Sequence, residues 1–427
     1  MSRSVLLVCH FYPPSAGAGV LRPLAMAKYL RRLGHRVTVL TTAAFGRLPD
    51  DEARGVARTW DLQLLQACLH GDRVATPILE AATYSNRPHP LSYVLVPEAL
   101  VLAWAPFAVA GALRLHRRER FDCVITTSPP ESGHLAGMAL QRLGPGWIAD
   151  VRDGWVFESY RPPWRTRLQD RLDRALERGV MRRADVVTTV AEPLAEYFRA
   201  ELGANAALVP NGWDPDNFAA APTDSSTAAR VLHRERVSLV HAGRLEVVGR
   251  DPAPLVEALR QLAVDDPSTA ARLELVFAGT FTERERALLA TDVAPGRIVL
   301  VGNLPRQEVI ALERAADGLL LITAGTRTHE VTGKVFEYLG VGRPILALAD
   351  GTEAARVVRA AGAGVSVPTG DARAARGALE AFARREIPPP TDEARRAFAY
   401  PAVAELMAEQ IERVSAGRPA RASTARR

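Results

Sequence analysis

Short apolar runs alternate with longer stretches of helical period through the first half of the chain. Val5–Cys9, Val37–Thr41, Cys123–Thr126, Trp147–Val151, Val186–Val190 and Ala207–Val209 read as strands. Several are apolar at successive positions, the pattern of strands covered by helices on both faces. Helical segments lie between them, one around Leu21–Leu33 and the clearest from about Thr166 to Arg183. In the latter, Leu168, Leu172, Ala175, Leu176 and Gly179 share one face and arginines and acids take the others, as in an amphipathic helix. Residues Ala219 to Arg230 are small and polar without apolar period and read as an inter-domain linker. The alternation then restarts with strands at Leu239–Ala242, Leu273–Ala278, Ile298–Val301, Leu319–Ile322 and Ile345–Leu348. After Pro388-Pro389-Pro390 a last helix begins near Pro401, with Val403, Met407, Ile411 and Val414 as its stripe.

Such alternation predicts an α/β chain with two Rossmann-like, doubly wound domains. The expected division is 1–205 for the first domain, 206–395 for the second, 396–416 for the last helix and 417–427 for a disordered basic tail. The length of 427 residues suits two cores, and 48% hydrophobic with 24% charged residues is an ordinary globular balance. Cys9, Cys68 and Cys123 have no metal-ligand or redox spacing. Val5–Cys9 is too short for the apolar core of a secretory signal. The longest uncharged apolar stretch, Ala99–Leu113, is shorter than a membrane span and contains Pro106. These features lead us to expect a cytoplasmic protein. The stretch Tyr84–Arg120 leaves two readings open: a buried helix ending in a basic cap, or a peripheral membrane contact. A net charge of +6 favours anionic partners in general.

Three segments carry candidate chemistry. The first, His10-Phe11-Tyr12-Pro13-Pro14-Ser15-Ala16-Gly17-Ala18-Gly19, joins a strand to a helix and lets backbone approach a ligand, although it lacks the dinucleotide fingerprint. The second, His241-Ala242-Gly243-Arg244 with Arg250, places two guanidinium groups on one loop after a strand, a pairing suited to a diphosphate. The third runs from Thr332 to Ile345. Thr332 is placed to cap a helix, Gly333 opens its first turn to an anion, and Glu337 could accept two ribose hydroxyls. Asp214-Pro215-Asp216 spells a metal-binding D-x-D, but Pro215 and the preceding Asn-Gly favour a turn, so no metal site is expected.

Arg244, Arg250, the Thr332–Ile345 segment, Asn211-Gly212-Trp213-Asp214 and the N-terminal FYPPSAGAGVLRPLAMAKYLRRLGHRVTVLT together resemble the family 4, or group 1, glycosyltransferases. Asp150–Trp155, DVRDGW, is most similar to the polysaccharide and natural-product branches. The resemblance covers Val5 to about Val414. It implies the GT-B fold, two Rossmann-like domains facing a central cleft, and retaining sugar transfer from a nucleoside-diphosphate donor to an unidentified acceptor. No cofactor, metal or nucleic-acid partner is implied.

By the same resemblance, Arg244 and Arg250 would neutralise the departing diphosphate, and the Thr332, Gly333, Lys334 and Val335 backbone would meet its phosphates. Glu337 would bind ribose. Gly17, Ala18 and Gly19 would close from the opposite domain. His329 occupies the place of the family's first glutamate, with Glu330 one position away. Asp153 would lie nearest the reacting sugar, with Asp150 in reserve and Arg152 beside them. The last helix would pack on the first domain. A catalytically inactive partner subunit and a sugar-nucleotide epimerase are the alternatives on the same fold.

Overall fold

The computed structural model describes residues 2–15, 17–62, 64, 68, 104–159, 166–222, 226–245 and 249–416. The 417–427 tail, the start of the Ala99–Leu113 run and most of the Tyr84–Arg120 stretch before Trp104 lie outside them.

Strands β1 (Ser4–Val8), β2 (Arg36–Thr42), β3 (Val56–Thr59), β4 (Cys123–Ser128), β5 (Gly146–Val151), β6 (Val186–Thr189) and β7 (Ala206–Leu208) form the first sheet. Helices α1 (Ala18–Arg32), α2 (Ala105–Glu119), α3 (His134–Gln141), α4 (Arg167–Arg183) and α5 (Glu192–Ala200) connect them. The second sheet has β8 (Val237–Ala242), β9 (Leu273–Ala278), β10 (Arg297–Val301), β11 (Gly318–Ile322), β12 (Ile345–Leu348) and β13 (Gly364–Val367). Its helices are α6 (Pro215–Ala219), α7 (Ser226–Val231), α8 (Ala253–Asp265), α9 (Pro267–Ala271), α10 (Glu283–Leu289), α11 (Arg306–Ala315), α12 (Gly333–Val341), α13 (Glu353–Ala360), α14 (Ala372–Ala383) and α15 (Asp392–Ala397). The last helix is α16 (Tyr400–Ser415).

All strand pairs are parallel, in the orders β3-β2-β1-β4-β5-β6-β7 and β10-β9-β8-β11-β12-β13. β1, β4 and β5 are buried along their whole length, as are β8, β9, β11 and β12, because helices cover both faces. In each sheet the connections reverse direction at one point, between β1 and β4 and between β8 and β11. Ligands of doubly wound sheets bind beyond the carboxyl ends of the strands flanking such a point.

One compact unit comprises Met1–Pro210 with Tyr400–Arg427, and the other Asn211–Ala399. The division therefore falls later than residue 205, because β7 pairs with β6 and completes the first sheet. The expected 219–230 linker is likewise corrected. Phe218 and Ala228 are buried within the second unit, and Ser226–Val231 is helical. α16 joins the first unit: Tyr400, Val403, Met407, Ile411 and Val414 share a core with Val5, Leu7, Ile125 and Ile148. Tyr400 stacks on Tyr29 with ring centroids 6.4 Å apart, and Glu412 pairs with Arg3 at 2.8 Å.

α2 buries Ala105, Ala108, Ala112 and Leu115 and ends on His116, Arg117 and Arg118, the buried-helix alternative for the described part of that stretch. α4 reverses its expected orientation. Its inward positions are Gln169, Asp173, Glu177, Val180 and Met181, whereas Leu168 is 65% and Leu172 52% exposed. The acids are buried because each has a partner in the loop after β5. Trp155 Nε1 donates to Asp173 at 2.8 Å and the Val156 amide donates to Glu177 at 3.1 Å.

Gly137 of α3 lies against Trp147, whose indole donates to Thr126 Oγ1 at 2.9 Å. A Cβ at Gly137 would sit 2.0 Å from that indole nitrogen. We expect Gly137→Ala to cost about 1–3 kcal/mol of stability by overpacking, measured by denaturant unfolding. Unchanged stability would mean that α3 can shift freely off the sheet.

Candidate active site

In the second unit the site grows from the end of β8. His241 is buried, its Nδ1 2.9 Å from the Leu320 carbonyl of β11, and burial pushes its pKa down to about 3. The Tyr338 hydroxyl of α12 donates to that same carbonyl at 3.1 Å. β8, β11 and α12 are thereby locked together beside the reversal point. The chain then turns at Gly243, with φ +133. Lys334, in the first turn of α12, donates through Nζ to the Ala242 carbonyl. A Cβ on Gly243 would fall 2.4 Å from that ammonium, so glycine is what lets the turn and the helix start meet.

Arg250 folds back on this loop. Its amide donates to the Leu245 carbonyl at 3.1 Å and its Nη1 to the Arg244 carbonyl at 3.3 Å, while the Arg244 side chain is exposed. The loop residues 246–248 lie outside the described residues.

α12 starts at Gly333, where an added Cβ would meet nothing within 4 Å, and its first turn contains no acid. Thr332 occupies the cap position but makes no capping bond, and its buried Oγ1 has no hydrogen-bond partner among the described residues. The predicted cap is thus corrected. Among the described residues no side-chain cap competes for the amides of that turn, which leaves the helix start receptive to an anion. Val335 is buried in the core beneath it.

Glu337, one turn further, pairs with Arg306 of α11 at 2.8 Å and is half-buried. Behind it, burial and the Glu337 carboxylate push the Glu313 carboxyl up to about 8, with Lys334 and Arg306 acting in the opposite direction. Burial pulls Lys334 down, opposed by Glu337 and Glu313 and reinforced by Arg250 and Arg306. Arg250, Arg306, Glu313, Lys334 and Glu337 therefore form one electrostatic cluster.

Because its folded pKa is raised from an ordinary 4.5, Glu313 keeps a proton that the unfolded chain releases. Its contribution to stability is complete below the unfolded value and is lost as pH rises through about 8. Glu313→Gln should therefore gain stability over the parent at about pH 9, and the gap should close near about pH 5. Thermal unfolding at both pH values checks this; parallel curves would mean that Glu313 ionises normally.

His329 is 2% exposed. Neighbouring Glu330 is buried, and its carboxylate accepts from the Ala324 and Gly325 amides at 3.0 and 3.1 Å. Glu330 thus shapes the loop after β11. Asp214 caps α6 by accepting from the Asp216 amide at 3.1 Å, a turn role for the D-x-D sequence.

In the first unit, Gly17 precedes α1 with φ +108, and a Cβ on Gly19 would be 3.3 Å from Phe11. Ala18 is the first residue of that helix. Arg152 is buried and donates to the carbonyls of Ser128 at 2.7 Å, Gly19 at 3.2 Å and Pro129 at 3.4 Å. It ties the ends of β4 and β5 to the start of α1. Asp153 is half-buried next to it.

Asp150 differs from its expected place: it is buried and bonded to Arg22 (2.8 and 3.0 Å), Thr127 (2.8 Å) and Thr188 (2.9 Å). Asp150 and Arg152 are internal struts, which leaves Asp153 as the acid of this segment outside the Arg22 network.

The sequence reading missed Arg22, the buried partner of Asp150, and Arg306, the partner of Glu337. It included His10 in the first candidate segment without giving it a place of its own; the residue is fully buried at the end of β1 among the rings of Phe11, Phe45 and Trp104 at 4.9, 5.4 and 5.1 Å. Burial holds that imidazole neutral, its pKa down to about 3. The one available signal was a histidine directly after an apolar strand run.

A family model described as a glycosyl transferase 4-like domain matches residues 17–212. The 2-deoxystreptamine glucosyltransferase of Streptomyces kanamyceticus is 29% identical over 258 residues, covering 57% of this chain and 64% of that protein. Sucrose-phosphate synthase from Thermosynechococcus elongatus matches with a TM-score of 0.61 at 17% identity, over 97% of this chain and 100% of that one.

The chain has the GT-B fold, and its residues 17–212 match a glycosyl transferase 4-like domain.

A further GT-B neighbour is a UDP-forming α,α-trehalose-phosphate synthase from Burkholderia xenovorans, with a TM-score of 0.60 at 12% identity over 97% and 100% of the two chains. At these identities the two structural neighbours show the fold of this chain alone. Among its described residues no helix is long and apolar enough to cross a membrane, and no cluster of three His, Cys, Asp or Glu is placed to hold a metal ion.

Proposed function

We propose that the chain transfers a sugar from a nucleoside diphosphate to an acceptor, with retention of configuration and without a metal ion. The observation that carries this reading is the convergence at the end of β8: Gly243 admits Lys334, Arg250 folds onto Arg244, and α12 begins without a side-chain cap.

Sugar transfer builds negative charge on the leaving diphosphate. Cations already in place stabilise that charge more in the transition state than in the ground state. Arg244 and Arg250 supply forked donors, Lys334 a point charge, and the Gly333–Val335 amides a partial positive end. Glu337 accepts the ribose hydroxyls; the Arg306 contact orients its carboxylate and leaves lone pairs free. In the first unit, Asp153 and the Gly17–Gly19 turn serve the reacting sugar and acceptor. Retention follows from attack on the face the diphosphate leaves, with a phosphate oxygen taking the acceptor's proton.

The glucosyltransferase relative and the UDP-forming neighbour make UDP-glucose with 2-deoxystreptamine the first pair to test, within a panel of UDP, GDP, ADP and TDP sugars and polyol acceptors. The expected result is a new glycoside by mass spectrometry, with the donor's anomeric configuration by NMR and turnover unaffected by EDTA. Failure to turn over any donor, together with no thermal stabilisation by any nucleoside diphosphate, would overturn the reading in favour of an inactive subunit.

A further inference from the structure

α4 presents to solvent the residues that its sequence pattern marks as apolar. Leu168, Leu172 and Ala175 follow one another at helical spacing along the exposed side, with Leu168 65% and Leu172 52% exposed. All six arginines of the helix, Arg167, Arg171, Arg174, Arg178, Arg182 and Arg183, are exposed as well. Its acids turn the other way: Asp173 and Glu177 are buried on the loop after β5, and half-buried Asp170 pairs with Arg174 at 2.9 Å. Arg167, Arg171 and Arg178 have no ion pair among the described residues. The exposed side of α4 is thus an apolar ridge bordered by positive charge, and the one partly exposed acid of the helix, Asp170, is neutralised by Arg174.

We infer that α4 is a docking surface for a bilayer rich in anionic lipid. A helix lying in the plane of a membrane sinks its apolar ridge to the headgroup boundary, and flanking arginines meet lipid phosphates. Two leucines and an alanine suit that shallow insertion. They make a narrow strip beside the roughly 800 Å² per partner that a stable protein interface covers. The inward acids explain how the helix keeps this face outward, since hydrogen bonds to Trp155 and Val156 anchor it through its polar side. The same bonds connect the docking helix to the segment bearing Arg152 and Asp153.

Flotation of the full-length protein with phosphatidylcholine vesicles, with and without phosphatidylglycerol, tests the inference. The wild type should float with the phosphatidylglycerol vesicles and bind pure phosphatidylcholine about tenfold less. Leu168→Gln/Leu172→Gln and Arg171→Gln/Arg178→Gln should each weaken binding about tenfold with an unchanged Tm, because the altered side chains are exposed. Wild-type protein that stays with the soluble fraction, or variants that float as well as the wild type, would overturn it. So would light scattering that finds a wild-type dimer which the leucine variant dissolves, since the ridge would then be a self-interface.

Discussion

Asp150→Ala is expected to destabilise the first unit by about 3–5 kcal/mol, the cost of leaving a buried partner charge uncompensated. Asp150 and Arg22 are both almost fully buried, and the guanidinium meets both carboxylate oxygens. Arg22 also donates to the carbonyls of Val209 and Pro210 at 3.0 and 2.7 Å, the point where the chain leaves the first unit. Burial alone would raise the Asp150 pKa. The charge and hydrogen bonds of Arg22, with help from Arg152 and Thr127, overcome that and hold it below the ordinary carboxylate range. A depressed carboxylate contributes stability at neutral pH and loses it as pH falls through its folded value. The parent should therefore show an acid-side loss of stability that the variant lacks. Denaturant unfolding across pH measures both effects. Arg22→Met/Asp150→Leu should recover much of the loss, because it removes both charges and fills the space. A single variant as stable as the parent would mean that the pair is dispensable.

Arg250→Ala is expected to lower kcat/KM by about 10²–10³-fold, the usual effect of removing one preplaced donor for a developing oxyanion. Arg250 is held against the Arg244 carbonyl on the loop leaving β8, so its position does not depend on a ligand to form. Arg250→Lys should retain part of the activity, keeping charge while losing the fork. Glu337→Gln should act differently, raising the donor KM more than it lowers kcat, because ribose is bound equally in ground and transition states. Steady-state kinetics on the three variants separates these roles. An Arg250→Ala enzyme with parental kcat/KM would remove that guanidinium from the chemistry.

The two sheets were legible because central parallel strands such as Leu273–Ala278 are continuous apolar runs. The strands that escaped notice are at sheet edges. β3, Val-Ala-Arg-Thr, and β13, Gly-Val-Ser-Val, are short and only partly buried, so neither needs such a run. α4 was misread because periodicity weighs leucines as core. Asp173 and Glu177 instead face inward through specific partners, one of them a backbone amide that no side-chain pattern records. Thr332 spells a cap but makes no capping bond.

Within the site, Gly243, Arg244, Arg250, Gly333, Lys334 and Glu337 were all visible as local motifs. The structure brings the β8 end and α12 together through the Lys334–Ala242 contact. What remained hidden were long-range partners. Arg22 lies 128 positions from Asp150 and Arg306 lies 31 from Glu337, so only the folded chain pairs them.

Titration calorimetry of UDP, GDP and ADP against the matching monophosphates, on the wild type and on Arg244→Ala/Arg250→Ala, bears most directly on the diphosphate grip. For the preferred base, the diphosphate should bind the wild type at least about tenfold more tightly than the monophosphate, and the double variant should lose that preference. A variant that still prefers the diphosphate by the same factor would show that these arginines are not what holds it.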